Sequence, residues 1–202
     1  MKAIMIPVLL LCAAVSCDGP KESWTETEKA ILSAPAPVRV LTIFDEADSL
    51  VLRTPCGELG AEDIASPAYG LIKKALLETV VSPGQDGVGI AAPQIGISRR
   101  VIAVQRFDKE GEPFEVYPNA YITAVRGEML PGPEGCLSIP GWRGDVLRYR
   151  DLDVRYTSAA TLKDTEETVQ GYSAIIFQHE CDHLDGVLYI DKSVAGTLRR
   201  ED

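Results

Sequence analysis

Both histidines of the 202-residue chain fall in one stretch near its C-terminal end, Gln178-His179-Glu180-Cys181-Asp182-His183-Leu184-Asp185-Gly186. Residues four apart on a helix lie one above the other, so His179 and His183 can offer two imidazoles to one metal ion, with Glu180 one residue off that face. In the H-E-x-x-H arrangement two nitrogen ligands hold a metal and the glutamate shuttles a proton for the water activated there. Two histidines four apart also occur as a surface coincidence. Here there are no others and they bracket a glutamate, which favours a site. This stretch alone leaves the third ligand open.

A thiol is the best remaining candidate. Cys12, Cys17, Cys56, Cys136 and Cys181 make an odd count, which does not indicate a disulfide framework. Cys136 sits in Pro131-Gly132-Pro133-Glu134-Gly135-Cys136-Leu137-Ser138-Ile139-Pro140, a stretch whose prolines and glycines read as irregular chain. Use as a small buried hydrophobe is the alternative for it. Cys181 points about 200° round the helix from His179 and reads as packing.

The elements that must position these groups are few. A helix over residues 172–186 carries the histidines, with Gly186 as its C-terminal cap. Ile64, Ala68, Leu71, Ile72, Ala75, Leu76 and Val80 recur with helical spacing, which predicts one amphipathic helix over 61–81, with Ser66-Pro67 as an alternative start. Gly87-Val88-Gly89-Ile90-Ala91-Ala92-Pro93-Gln94-Ile95-Gly96 lacks the lysine and Ser/Thr of a phosphate loop, and its third glycine is wrongly spaced for a dinucleotide fingerprint. Its glycines mean tight turns or close approach of another backbone, either internal or a substrate's. Residues 38–43 read as a first strand or extended segment, and 101–105, 121–125, 146–149 and 151–156 as short strands. Short strands with two substantial helices indicate an α+β fold.

Thirty acidic against twenty basic residues give a net charge of -10, which repels phosphate backbones and sets nucleic-acid binding aside. With 46% hydrophobic residues the chain can bury a core of one domain. Lys2, the apolar run 3–14 and small residues before Cys17 read as an export signal over 1–17, too short to span a membrane comfortably. Ala14-Val15-Ser16-Cys17 resembles a bacterial lipobox, so the expectation is a lipoprotein anchored through Cys17 on the periplasmic side; an unused leader would leave the protein cytoplasmic. Residues 18–37, ending in Ala34-Pro35-Ala36-Pro37, read as a tether, 38–191 as the folded domain and 192–202 as a charged tail.

Three segments taken together, Gly87-Val88-Gly89-Ile90-Ala91-Ala92-Pro93-Gln94, Glu134-Gly135-Cys136-Leu137-Ser138 and Gln178-His179-Glu180-Cys181-Asp182-His183-Leu184, resemble in order and spacing the signature motifs of peptide deformylase. The resemblance runs from Val38 to Asp191. It implies a Cys136, His179 and His183 site with an open fourth position, and ferrous iron as the ion. Zinc, nickel and cobalt suit the same ligands. It further implies hydrolysis of N-formylmethionyl peptides: Glu180 takes the proton of the attacking water, while the Gln94 amide and the Leu137 backbone N–H donate to the oxyanion. Gly89, Ile175, Ile176 and Arg143 are the expected substrate contacts, with core packing an equal use for the isoleucines and a surface salt bridge for Arg143. A monomer is expected. Where the family commonly has Asn-Pro, this chain reads Tyr117-Pro118-Asn119.

Two rival readings share these features. A zinc peptidase would use the same helix motif, but no His-x-x-Gly-x-x-His continuation exists and Glu201 is the sole glutamate after His183. A lipoprotein that merely binds formylated peptides would be easier to accept had Glu180 or Gln94 been replaced.

Overall fold

The computed structural model describes residues 24–201. Everything expected of residues 1–17, including Cys12 and Cys17, lies outside them. The described chain builds five α-helices and three small antiparallel sheets, an α+β architecture. Among the described residues no helix is long and apolar enough to cross a membrane.

The helices are α1 (Glu26–Ser33), α2 (Glu46–Leu52), α3 (Ala61–Ile64), α4 (Pro67–Val80) and α5 (Gly171–Leu184). The single helix expected over 61–81 is two, and the alternative start at Ser66-Pro67 is that of the longer one: Pro67 cannot continue a helix but is pre-set for its first turn, so α3 ends and α4 starts afresh with Pro67. Its face of Ile72, Ala75, Leu76 and Val80 is buried against Ile90, Ile95 and Val101.

β1 (Gly89–Ala91), β2 (Val101–Gln105) and β3 (Phe114–Pro118) form the first sheet in that order. β4 (Tyr121–Arg126), β7 (Asp151–Thr157) and β8 (Asp164–Gln170) form the second, ordered β4-β7-β8. β5 (Leu130–Gly135), β6 (Trp142–Arg148) and β9 (Arg199–Arg200) form the third, ordered β5-β6-β9. α5 packs between the first two sheets, burying Ala174, Phe177 and Leu184 with Ile102, Val104 and Leu152.

Several expectations are corrected here. The stretch around Pro131 and Pro133 is not irregular. It is β5, and it tolerates prolines because it is an edge strand paired only to β6. Residues 38–43 join no sheet, which removes the strand alternative; Leu41 N–H donates to Gln94 O at 2.8 Å and Ile43 N–H, at the start of a turn, to Ser138 O at 3.1 Å. The expected tether is docked from residue 24 on: α1 has a Thr25–Glu28 capping box, Leu32 is buried in the core, and Glu28 pairs with Arg99 at 2.9 Å. The charged tail over 192–202 is likewise joined to the domain, since Arg199 and Arg200 pair with Arg143 and Trp142 of β6.

Candidate metal centre

α5 supplies the two imidazoles. It ends in a Schellman closure, with Gly186 N–H donating to His183 O at 3.1 Å, Val187 N–H to Asp182 O at 2.9 Å, and Gly186 at φ +73°. A side chain at 186 would strike the Arg53 carbonyl at 2.4 Å, so only glycine lets the chain leave the helix here. β5 runs past the same face and delivers Cys136 just beyond its end. One ligand atom each from Cys136, His179 and His183 lies within 4.8 Å of the others.

The imidazoles are held differently. His179 Nδ1 donates to Glu134 Oε2 at 2.8 Å, because a carboxylate can only accept; its Nε2 is thereby left as a ligand atom facing the cluster. Glu134 in turn accepts from Arg148 Nε at 2.8 Å and Nη2 at 3.0 Å, and Arg148 Nη1 donates to Asp182 at 2.6 Å. Burial pushes the Glu134 carboxyl up, but the hydrogen bonds from His179 and Arg148 outweigh it and bring it down to about 2. Burial also opposes charge on His179, yet Cys136 and Glu134 hold it well above its ordinary value. His183 has no such partner: its Nε2 is 3.2 Å from Cys136 Sγ and its Nδ1 is buried without a hydrogen bond. Burial, then the neighbouring His179 and Arg148, drive it well below its ordinary value.

Glu180 sits beside this cluster with Oε2 buried and unpartnered. Burial and then the Glu134 charge push it up, against the pull of His179 and Arg148, to about 7. Gly89 explains how the carboxylate fits: a Cβ there would lie 2.5 Å from Glu180 Oε1 and 2.6 Å from Ile176 Cγ2. Gln94 closes the other side from a 3-10 turn, Ala92–Ile95, ended by Gly96 in the left-handed region. Its Oε1 accepts from Ala91 N–H at 2.8 Å, so Nε2 is turned to Ser138 Oγ at 3.2 Å and Cys136 Sγ at 3.6 Å.

Gly89, Gln94, Cys136, His179 and Glu180 line a cleft of about 660 Å³ that also takes in Leu137, Ile175, Ile176 and Arg143, with His183 buried behind them. Ile176 is buried in the core as well, and Arg143 donates from Nε to Glu201, so the packing and ion-pair uses expected for them are present. Cys181 is buried among Phe177 and Leu184, apart from the ligand cluster. Asn119 stands in the left-handed region and clasps the backbone of Leu59 through its side chain, a structural use of the Pro118-Asn119 order. Glu134 and Ser138 lie in the Glu134–Ser138 segment without having been given a role, and Arg148 lies outside all three segments. The available signal for Glu134 is period two, since residues 134 and 136 of an extended chain face the same side.

The donor set passes the test for a divalent metal. One thiolate and two imidazoles at roughly 2.0–2.3 Å from an ion lie about 3–4 Å apart, inside the spread observed, and the stranded Glu180 oxygen requires a partner in the cleft. Fold and site together define a mononuclear metallohydrolase. The polypeptide deformylase family model matches residues 39–198, and the chain belongs to that family. It is 42% identical to a peptide deformylase of Desulforudis audaxviator over 126 residues, 62% of this chain and 78% of that protein. A peptide deformylase of Symbiobacterium thermophilum is 48% identical over 106 residues, 52% of this chain but only 48% of that protein. Among solved structures, Acinetobacter baumannii peptide deformylase bound to Met-Ala-Ser matches with 32% identity and a TM-score of 0.69, covering 79% of this chain and 99% of that one. The Synechococcus elongatus deformylase in complex with actinonin matches with 31% identity and a TM-score of 0.68, covering 81% and 82%.

Proposed function

We propose that the chain is a metal-dependent amide hydrolase that removes the formyl group from N-formylmethionyl peptides and releases formate. The observation that carries this is the buried, unpartnered Glu180 Oε2 beside three convergent ligand atoms at the wall of the cleft. When bound, a divalent ion held by Cys136, His179 and His183 supplies Lewis acidity toward the formyl oxygen and toward water. The chain's own residues do the rest. Glu180, poised near neutrality, accepts the proton of the attacking water at Oε2 and passes it to the departing amine nitrogen. Gln94 Nε2, fixed by the Ala91 N–H on its other end, donates to the oxygen that becomes negative, and the Leu137 N–H is the second donor. Ile175 and Ile176 receive the methionine side chain, and the edge of β5 lies alongside the peptide.

Anaerobically purified, iron-loaded protein is expected to release formate from formyl-Met-Ala-Ser, and Glu180→Ala to lose about 10²–10⁴-fold. No release by the parent, or equal release by the variant, overturns the assignment. Ferrous iron is the proposed ion, with metal analysis of anaerobically purified protein as its check. The leader pattern before Cys17 supports a further proposal of export with a lipid anchor in the membrane. Mass spectrometry of the mature N-terminus should find Cys17 lipidated, and an unmodified Met1 would refute it. We take the working unit as a monomer, to be checked by sedimentation.

A further inference from the structure

Three guanidinium groups line the cleft, those of Arg143, Arg148 and Arg150. Two are already matched: Arg148 is held by Glu134 and Asp182, and Arg143 by Glu201. Arg150 has no carboxylate or other hydrogen-bonding partner for its side chain among the described residues. The cleft's own carboxylates do not supply one. Glu134 and Glu201 are committed as above, Glu180 is buried, and Asp86 lies in the loop before β1 without a bond to Arg150.

The backbone under Arg150 is nevertheless fixed. Its carbonyl accepts from Gly171 N–H at 2.8 Å, and the preceding Tyr149 is held through both N–H and carbonyl by the Gln178 side chain, at 3.1 and 2.8 Å. The strand it overhangs is bare: a Cβ on Gly132 would lie 3.8 Å from Arg150 Nη2. Tyr172 follows Gly171 directly, so it sits beside Arg150, and it lines the cleft about half exposed, as Leu130 does. Tyr172 precedes His179 by two helical turns, about 10 Å. That is roughly the span of three extended peptide residues.

We infer that Arg150 is a specificity-determining residue that pairs with a carboxylate carried by the peptide, an inference that rests on the formyl-peptide reading above. The carboxylate is either the free C-terminus of a short formyl peptide or an acidic side chain, and a planar guanidinium suits both. The test uses the full chain loaded with ferrous ion and compares formyl-Met-Ala-Ser, its C-terminal amide and formyl-Met-Glu-Ser amide. At least one carboxylate-bearing peptide is expected to exceed the neutral amide about two- to fivefold in kcat/KM, expressed in KM. Whichever peptide does so names the source. Arg150→Gln should bring that ratio to one, Arg150→Lys should retain part of it, and Arg150→Glu should favour formyl-Met-Lys-Ser amide instead. Raising the salt to about 1 M should erase the parent's preference without any substitution. A parent ratio of one, or a ratio identical in the parent and Arg150→Gln, overturns the inference while leaving deformylation standing. Failure to turn over even the neutral amide removes both.

Discussion

Arg106 and Arg148 are both buried and both ringed by carboxylates, yet only one of them reaches the metal centre. Arg106 binds Asp108 through Nε and Nη2, at 2.8 and 2.7 Å, and through Nη1 reaches Glu167 at 2.8 Å and the Tyr117 hydroxyl at 2.5 Å. Tyr117 then meets Tyr156 and Phe177 edge-on, each at 4.9 Å, so this network ends in the aromatic core between β3, β7 and α5. Arg148 binds Glu134 and Asp182, and its network ends on the His179 imidazole. Both guanidinium groups need carboxylates because an unpaired buried charge is costly. What separates architecture from chemistry is the last group on the chain of hydrogen bonds, a phenol in one case and a metal-ligating imidazole in the other.

That contrast can be broken in order of effect. Arg106→Met strands several carboxylates and should cost about 3–5 kcal/mol in denaturant unfolding, with the metal content of the folded fraction unaltered. Glu134→Gln should instead weaken divalent-ion binding about 10–100-fold in chelator competition, moving the unfolding midpoint less than Arg106→Met does. If both variants lose stability and metal in the same proportion, the distinction fails.

Acid gives a third test. Burial pushes the Asp108 and Glu115 carboxyls up, but hydrogen bonds from Arg106 to Asp108, and from Lys109 and Tyr117 to Glu115, hold both below their ordinary 3.8 and 4.5. Folded values below unfolded ones mean that their stabilisation is complete above about pH 4.5 and is lost as pH falls through the depressed folded values. The melting temperature of the parent should therefore fall below pH 4.5, and Arg106→Met should show a shallower fall over that range. The smallest effect belongs to Arg53, whose pair with Asp191 is more than a third exposed on both sides. Arg53→Ala should change stability by less than about 1 kcal/mol, a baseline for surface pairs in the same titration.

The helix carrying His179 and His183 was legible because a four-residue spacing maps directly onto one helical face. β5 was hidden by its composition: Pro131, Gly132, Pro133 and Gly135 speak against a strand, and only the pairing of Leu130 to Arg148 through Gly135 to Arg143 overrides them. β8 was hidden differently, since Val169 is the one buried residue in Asp164–Gln170 and a polar edge strand leaves almost no hydrophobic trace. The Glu134, Arg148 and His179 relay could not be read because its members come from two strands and a helix, joined only by tertiary contact. The docking of α1 depends likewise on Glu28 and Arg99, which lie 71 residues apart.

The docked α1 also sets a length. Arg99 stacks on Trp24 at 4.9 Å and pairs with Glu28, so the chain is already fixed to the domain at residue 24. If Cys17 carries lipid, as proposed, only residues 18–24 lie between anchor and enzyme, and even fully extended they reach about 25 Å. The catalytic cleft would then work within one domain's width of the bilayer, drawing on peptides in that thin layer of solution more than on those in the bulk.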